Sequence, residues 1–198
     1  MKIMSDNSET VLSNYGIYDL DDEFELFLPN TSIKFHRISD NAFSYFRKNS
    51  EGKIVEKIIP VKSNDLKIEL APIRPLNHPA RRTNHIFLKF DKAIHLSANS
   101  AASIFIHCPI EVGIFLIHDS IHDSLDWITC DPLNSRFALY GSPDTGTLCK
   151  YAKVSSAVDY NDSNSYLEGV MQIILENTLS SSQSISKVVF PITDNTLY

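Results

Sequence analysis

The amino-acid sequence predicts an all-β fold, mainly an antiparallel, sandwich-like domain. Short apolar runs rich in Ile, Val, Phe and Tyr recur along the chain, and segments of Asn, Asp, Ser, Gly and Pro separate them. Long stretches with the 3.6-residue period of an amphipathic helix are scarce. A chain of 198 residues can bury one sizeable core or two small ones, so two packed β subdomains are an alternative to a single sandwich.

The first half predicts a β-meander followed by one amphipathic strand. Alternating or aromatic-rich runs occur at 24–28, 33–38, 43–46 and 54–59. Turn-forming residues separate these runs at hairpin length, so consecutive strands are expected to pair. The next run, 66–70, alternates apolar with charged residues and predicts a strand with one buried and one solvated face.

A proline-rich segment at 71–84 predicts a seam between two halves of the chain. It contains Pro72, Pro75 and Pro79, which cannot donate hydrogen bonds to a strand ladder, so we expect an extended connection there. The predicted organisation is a flexible N-terminal segment, one β-rich domain that contains this seam, and a short tail, at 1–14, 15–193 and 194–198.

The second half is more apolar and predicts a further series of strands. The runs that carry this prediction lie at 86–90, 94–96, 103–107, 110–117, 127–130, 136–140, 148–154, 169–175 and 188–190. Asp91 and Lys92 are the expected turn between the first two runs, and the polar stretch 118–126 is expected to be a loop.

Composition argues against several classes of partner. The formal net charge of −6, from 18 basic and 24 acidic residues, gives no global attraction for a phosphate backbone, so we expect no nucleic acid partner. The most apolar stretch, 101–117, carries His107, Pro109 and Glu111, and therefore predicts buried strands and no membrane insertion. The three cysteines are odd in number and form no CxxC motif, which predicts reduced thiols and a cytoplasmic location. No cofactor motif is present.

Two segments of the second half resemble a known family. They are the run at 109–115 and the Tyr-Gly-Ser-Pro stretch at 140–143, followed by Gly146, Cys149 and Tyr151. The chain is similar here to an uncharacterised, mainly archaeal family of domains of unknown function, number 432. The resemblance covers about 15–191 and implies a stand-alone cytoplasmic protein without an assigned activity, so it supplies no catalytic or binding residues. The pair Cys149-Lys150 departs from the family pattern, in which a more basic pair is expected.

Glu111 is the first candidate site residue because it lies inside an apolar strand. A buried carboxylate needs a cation or several donors, so Arg136 or Lys89 is expected to reach it if it faces inward. Such a carboxylate could belong to a ligand pocket, or form a structural ion pair, or face solvent from an alternating strand.

The second candidate site is the turn that follows the predicted strand 136–140. Its candidate ligand-binding residues are Tyr140, Gly141, Ser142 and Gly146. The spacing is wrong for a nucleophile elbow, because Pro143 follows the serine and no helix comes after it. A structural turn is therefore favoured, although N–H groups near the two glycines could hold an anion if the turn lined a pocket.

His118 and His122 are weak metal candidates, and we predict no metal site. The two imidazoles would share a face only on a helix, whereas the surrounding Asp-Ser pairs favour a solvated loop. A metal would also need a third ligand, for which His85, His107 or Asp126 are the nominal candidates.

These observations favour a non-enzymatic binding or assembly module, with Glu111, Arg136 and the turn as its site. One alternative is a small-molecule hydrolase or isomerase that uses Glu111 as acid or base. Another is a metal-binding protein that uses His118 and His122. The partner is unknown, and a homo-oligomer formed through exposed β edges is a further possibility.

Overall fold

The computed structural model of the chain describes residues 14–61, 66–76, 82–118, 121–130, 136–157 and 165–192. These ranges contain strands and no helix, which confirms the all-β prediction. The strands are β1 (Gly16–Asp19), β2 (Glu23–Leu28), β3 (Thr31–Ser39), β4 (Ala42–Asn49), β5 (Ile54–Pro60), β6 (Lys67–Ile73), β7 (His85–Leu96), β8 (Ser100–Pro109), β9 (Glu111–His118), β10 (Ile121–Ile128), β11 (Arg136–Tyr140), β12 (Thr147–Val154), β13 (Ser156–Ala157), β14 (Glu168–Asn177) and β15 (Gln183–Pro191). Within the same ranges, no helix has the length and apolar character needed to cross a bilayer.

The first half forms two antiparallel sheets. One is the predicted meander, in which β2, β3, β4 and β5 pair in chain order. The other has the order β1-β6-β9-β10, so a hairpin from the second half of the chain completes it. The short edge strand β1 was not predicted, because four residues carry too little alternation to be distinguished from a loop.

The remaining strands form two further sheets. One has the order β13-β8-β14, and the other has the order β11-β12-β7-β15. In the latter, β12 runs parallel to β7, with Lys150 opposite Ile86, whereas all the other pairs are antiparallel among the described strands. The fold is therefore mainly, but not wholly, antiparallel.

The buried apolar residues form two clusters. The first lies between the meander and the sheet of β9 and includes Ile33, Phe43 and Val112. The second includes Leu88, Ile106 and other residues of the two remaining sheets. Because β9 and β10 contribute to the first cluster, the chain returns to it after the proline-rich segment. The division of the chain into domains stays a prediction.

Three local expectations were wrong. Residues 71–73 are part of β6, where Pro72 is tolerated because the pairing with β1 extends only to Leu70 and leaves that side of the strand unpaired beyond it. Asp91 and Lys92 do not form a turn, because β7 continues through them to Leu96. The predicted loop 118–126 contains most of β10, an edge strand whose first four residues are exposed and mostly polar.

The described residues exclude segments 1–13, 77–81, 119–120 and 193–198, and with them Pro79 and nearly all of the predicted flexible terminus and tail.

A buried polar network joins the two sheets of the first cluster. Asp126 of β10 accepts hydrogen bonds on one carboxylate oxygen from the Tyr45 hydroxyl and from Arg47 Nε, both at 2.7 Å. Its other oxygen accepts the backbone N–H of Trp127. Burial, followed by the nearby Asp126 carboxylate, raises the pKa of Tyr45 far above its usual range, so this hydroxyl stays protonated and can donate to Asp126.

Candidate functional site

A cavity of about 340 Å³ opens where strands of the two clusters meet. The β8–β9 junction, the first residue of β11, the middle of β12 and the start of β14 supply its walls. Its lining residues are Pro75, His107, Pro109, Ile110, Glu111, Thr129, Arg136, Lys150, Tyr151, Ala152, Lys153, Leu167 and Glu168. This volume is within the range of small-ligand sites, which begins at roughly 300 Å³.

Glu111 is buried, with 1% of its surface exposed. It is the first residue of β9, and strand alternation points it away from Val112 and Ile114, which pack in the first cluster. Of its two expected partners, Arg136 lines the same cavity. Lys89 does not, because it lies at a solvent-exposed position in the middle of β7. Lys150 couples electrostatically to Glu111.

Lys150 was missed as a site residue by sequence analysis. It is 4% exposed, and its Nζ lies 5.6 Å from the centroid of the Phe137 ring. Burial lowers the pKa of Lys150, and the Glu111 carboxylate opposes this shift. A signal was present in the sequence: Lys150 alternates with Ala152 and Val154, which places its ammonium on the apolar face of β12.

His107 and Glu168 also line the cavity. His107 Nδ1 is 3.4 Å from Glu168 Oε2, and the two atoms do not satisfy hydrogen-bond geometry. Nδ1 is buried and has no hydrogen-bond partner among the described residues. A buried ring nitrogen of this kind leaves one donor or acceptor position for a ligand in the cavity.

The predicted turn residues do not line this cavity. Tyr140, Gly141, Ser142 and Gly146 lie at the far end of the β11–β12 hairpin from Arg136. The turn satisfies its own polar groups: the Gly146 N–H donates to the Ser142 carbonyl at 2.7 Å, and the Thr145 N–H donates to the Ser142 hydroxyl at 3.2 Å. A structural role explains these residues, and the Gly146 N–H is not available to an anion.

His118 and His122 cannot share a metal ion in this fold. Across the β9–β10 hairpin His118 is opposite Ile121 while His122 is opposite Ile117, so their side chains lie on different faces of the sheet. His122 Nδ1 instead contacts Glu69 Oε2 at 2.7 Å. The described residues contain no group of three or more His, Cys, Asp or Glu side chains placed to hold a metal.

The fold and cavity define an all-β protein with a polar cavity lined by strands of two apolar clusters. The family described as "Protein of unknown function (DUF432)" matches residues 14–198. The chain therefore belongs to this family, as the Tyr-Gly-Ser-Pro resemblance indicated. No curated protein and no solved structure matches the chain.

Proposed function

We propose that the protein is a binding module that holds a small polar molecule in the cavity around Glu111. The observation that carries this proposal is the presence of two buried ionisable side chains, Glu111 and Lys150, on the wall of a ligand-sized cavity. Taking charges out of water costs several kcal/mol per ion, and packed apolar residues often stabilise a core as well or better. Their presence beside open space is typical of a ligand site.

The charges around the cavity suggest the chemistry of its ligand. Arg136, Lys150 and Lys153 outnumber Glu111 and Glu168, so the site favours an anionic group. The two carboxylates and His107 Nδ1 add positions for a hydrogen-bond donor on the same molecule. Small amino acids, hydroxy acids and phosphate esters have this combination of groups.

The test is thermal denaturation of the full chain with L-glutamate, citrate, inorganic phosphate and AMP at millimolar concentration. We expect at least one of these to raise the melting temperature, because a ligand that binds only the folded state stabilises it. Arg136→Ala should abolish the shift, whereas Lys48→Ala, which removes an exposed cation from the meander, should preserve it. Absence of a shift with all four compounds, or an equal loss in both variants, would contradict the proposal.

A second candidate function is a hydrolase or isomerase in which Glu111 is the acid or base. It is supported by the convergence of Glu111, Lys150 and His107 on one concave site, which general acid–base chemistry requires. Wild type and Glu111→Gln are compared on nitrophenyl esters, nitrophenyl phosphates and nitrophenyl glycosides. Turnover by wild type that disappears in Glu111→Gln, with the ligand-induced melting shift retained, would favour this candidate over simple binding.

Assembly and location complete the proposed function. We propose a homo-oligomer formed through β edges, supported by exposed Ile121 and Trp127 on β10 and Ile54 and Ile58 on β5. Light scattering coupled to size exclusion tests it, and a monomeric mass would contradict it. A cytoplasmic location is supported by the three cysteines, which are buried and unpaired.

A further inference from the structure

One face of the β11-β12-β7-β15 sheet carries a row of lysines. Lys89 lies in the central strand β7, with Lys153 of β12 opposite it on one side and Lys187 of β15 opposite it on the other. Arg136 of β11 is opposite Tyr151, two positions from Lys153 along β12, so its side chain emerges on the same face. We call Lys89, Lys153, Lys187 and Arg136 the basic row.

The basic row is unfavourable for folding. Like charges directly opposite one another on neighbouring strands destabilise a sheet. All four side chains are solvent-exposed, and none of them forms an ion pair with a carboxylate among the described residues. Asp91 follows Lys89 on this face, but its carboxylate accepts the backbone N–H of Lys92. In a chain with more acidic than basic residues, this arrangement indicates an anionic partner.

Aromatic side chains interleave with the basic row. Phe87 lies between Tyr140 and Tyr151, with ring centroids 5.9 and 5.6 Å away and edge-to-face geometry in both pairs. Tyr140 is 45% exposed, and Lys187 Nζ lies 5.7 Å from its ring centroid. Cations beside accessible aromatic rings on an open sheet are what a single-stranded nucleic acid requires, because phosphates pair with the cations and bases stack on the rings.

We propose that this face of the sheet binds single-stranded nucleic acid. The net charge of −6 argues against attraction by the chain as a whole, but binding depends on the local arrangement of cations along the path of the strand. The aromatic rings favour nucleic acid over an acidic polysaccharide, which has no bases to stack. They also favour it over a lipid surface, because the three rings pack edge to face within the sheet.

This inference goes beyond the proposed small-molecule function and can be tested separately. Arg136, Tyr151 and Lys153 belong both to the face and to the lining of the cavity. Lys89, Lys187 and Tyr140 belong to the face alone. Substitutions at these last three positions therefore probe nucleic acid binding while the cavity stays intact.

The experiment measures fluorescence anisotropy of labelled oligo-uridine and oligo-thymidine titrated with the full chain. Four phosphate contacts at about 0.7 per contact give a slope of log affinity against log salt of about −3, or roughly 50-fold weaker binding between about 50 and about 200 mM salt. Lys89→Glu/Lys187→Glu should weaken binding at low salt at least tenfold and roughly halve the slope. The matched control Lys48→Glu/Lys92→Glu makes the same charge change at exposed positions off this face.

Tyr140 tests the contribution of the bases. Tyr140→Ala should weaken oligonucleotide binding by about 5- to 150-fold and leave heparin binding unchanged, whereas Tyr140→Phe, which keeps the ring, should bind as wild type does. The proposal is overturned if neither oligonucleotide binds at low salt, or if the control double variant loses as much affinity as Lys89→Glu/Lys187→Glu. It is also overturned if Tyr140→Ala binds oligonucleotide normally, or if only heparin or anionic phospholipid vesicles bind.

Discussion

Removing the Asp126 carboxylate should strongly destabilise the first cluster. In the folded protein Asp126 and Arg47 are each 10% exposed at the side chain and are joined at 2.7 Å. Asp126→Ala leaves the guanidinium buried without its counter-charge and the Tyr45 hydroxyl without its acceptor. Breaking a buried ion pair from one side costs about 3–5 kcal/mol of unfolding free energy.

The assay is equilibrium unfolding in urea, followed by tryptophan fluorescence and by circular dichroism. With a urea m-value of about 2–3 kcal/mol/M, the midpoint of Asp126→Ala should fall by about 1–2 M. Asp22→Ala is the matched control, because Asp22 contacts Arg37 Nε at 2.9 Å but is 85% exposed. An exposed pair of this kind contributes at most about 1 kcal/mol.

A third variant separates the loss of the ion pair from the cost of a buried charge that has no partner. Replacing both partners, as Arg47→Met/Asp126→Leu, removes the buried charges together and should recover most of the stability lost in Asp126→Ala. The reasoning is refuted if Asp126→Ala costs less than about 1 kcal/mol, or no more than Asp22→Ala does. It is also refuted if the double replacement is as unstable as the single one.

Three further predictions follow from burial and close packing. Gly146→Ala should destabilise the fold by about 1–3 kcal/mol and by more than Gly169→Ala does. An added Cβ at 146 would lie 2.5 Å from a backbone oxygen, whereas one at 169 would meet a side-chain methyl at 3.2 Å. Thermal melts compare the two variants, and an equal loss of stability would count against the backbone contact at 146. Burial raises the pKa of Cys108 and Cys130 to about 12, so both should react with Ellman's reagent at pH 8 only after unfolding, and rapid labelling of native protein would disprove this. The pKa of Lys150 in the folded protein is below its unfolded value of 10.5, so the unfolded state binds more protons between the two values. The free energy of unfolding should therefore rise with pH in that window in wild type, and rise less in Lys150→Met. Parallel slopes for the two proteins in urea melts would contradict the lowered pKa of Lys150.

The strands were predictable where their own residues determine them. The meander has regular alternation and hairpin-length turns, so both its strands and its pairing could be predicted from the sequence. Most of β10 was missed because an edge strand exposes both faces over its first residues and shows no apolar period. β7 was divided at Asp91 and Lys92 because two polar residues resemble a turn, although a long strand tolerates them where it is exposed.

The candidate site was predictable only in part. Glu111 and Arg136, which the sequence assigned to one candidate site, both line the cavity, and their role in binding stays a prediction. The turn at 140–146 was chosen because Ser142 and its neighbouring glycines follow a predicted strand, but the β11–β12 hairpin carries this turn away from Arg136 by the length of the strand. Lys150 could have been found by counting positions along β12, because a lysine on an apolar face needs a partner or a function.

The basic row could not be predicted from local sequence patterns, because it depends on how distant strands pair. Each lysine alone is an ordinary exposed residue on an alternating strand, and only the parallel pairing of β12 with β7 and the antiparallel pairing of β15 with β7 bring them side by side. Strand pairing between distant segments is determined by how the whole core packs, and a shift of one residue would turn every side chain of the strand to the other face. The apolar residues that alternate with the lysines, such as Leu88 and Val188, pack in the second cluster and hold that register. The same core that stabilises the sheet therefore also aligns the charges that oppose it, and a bound anion would relieve this conflict.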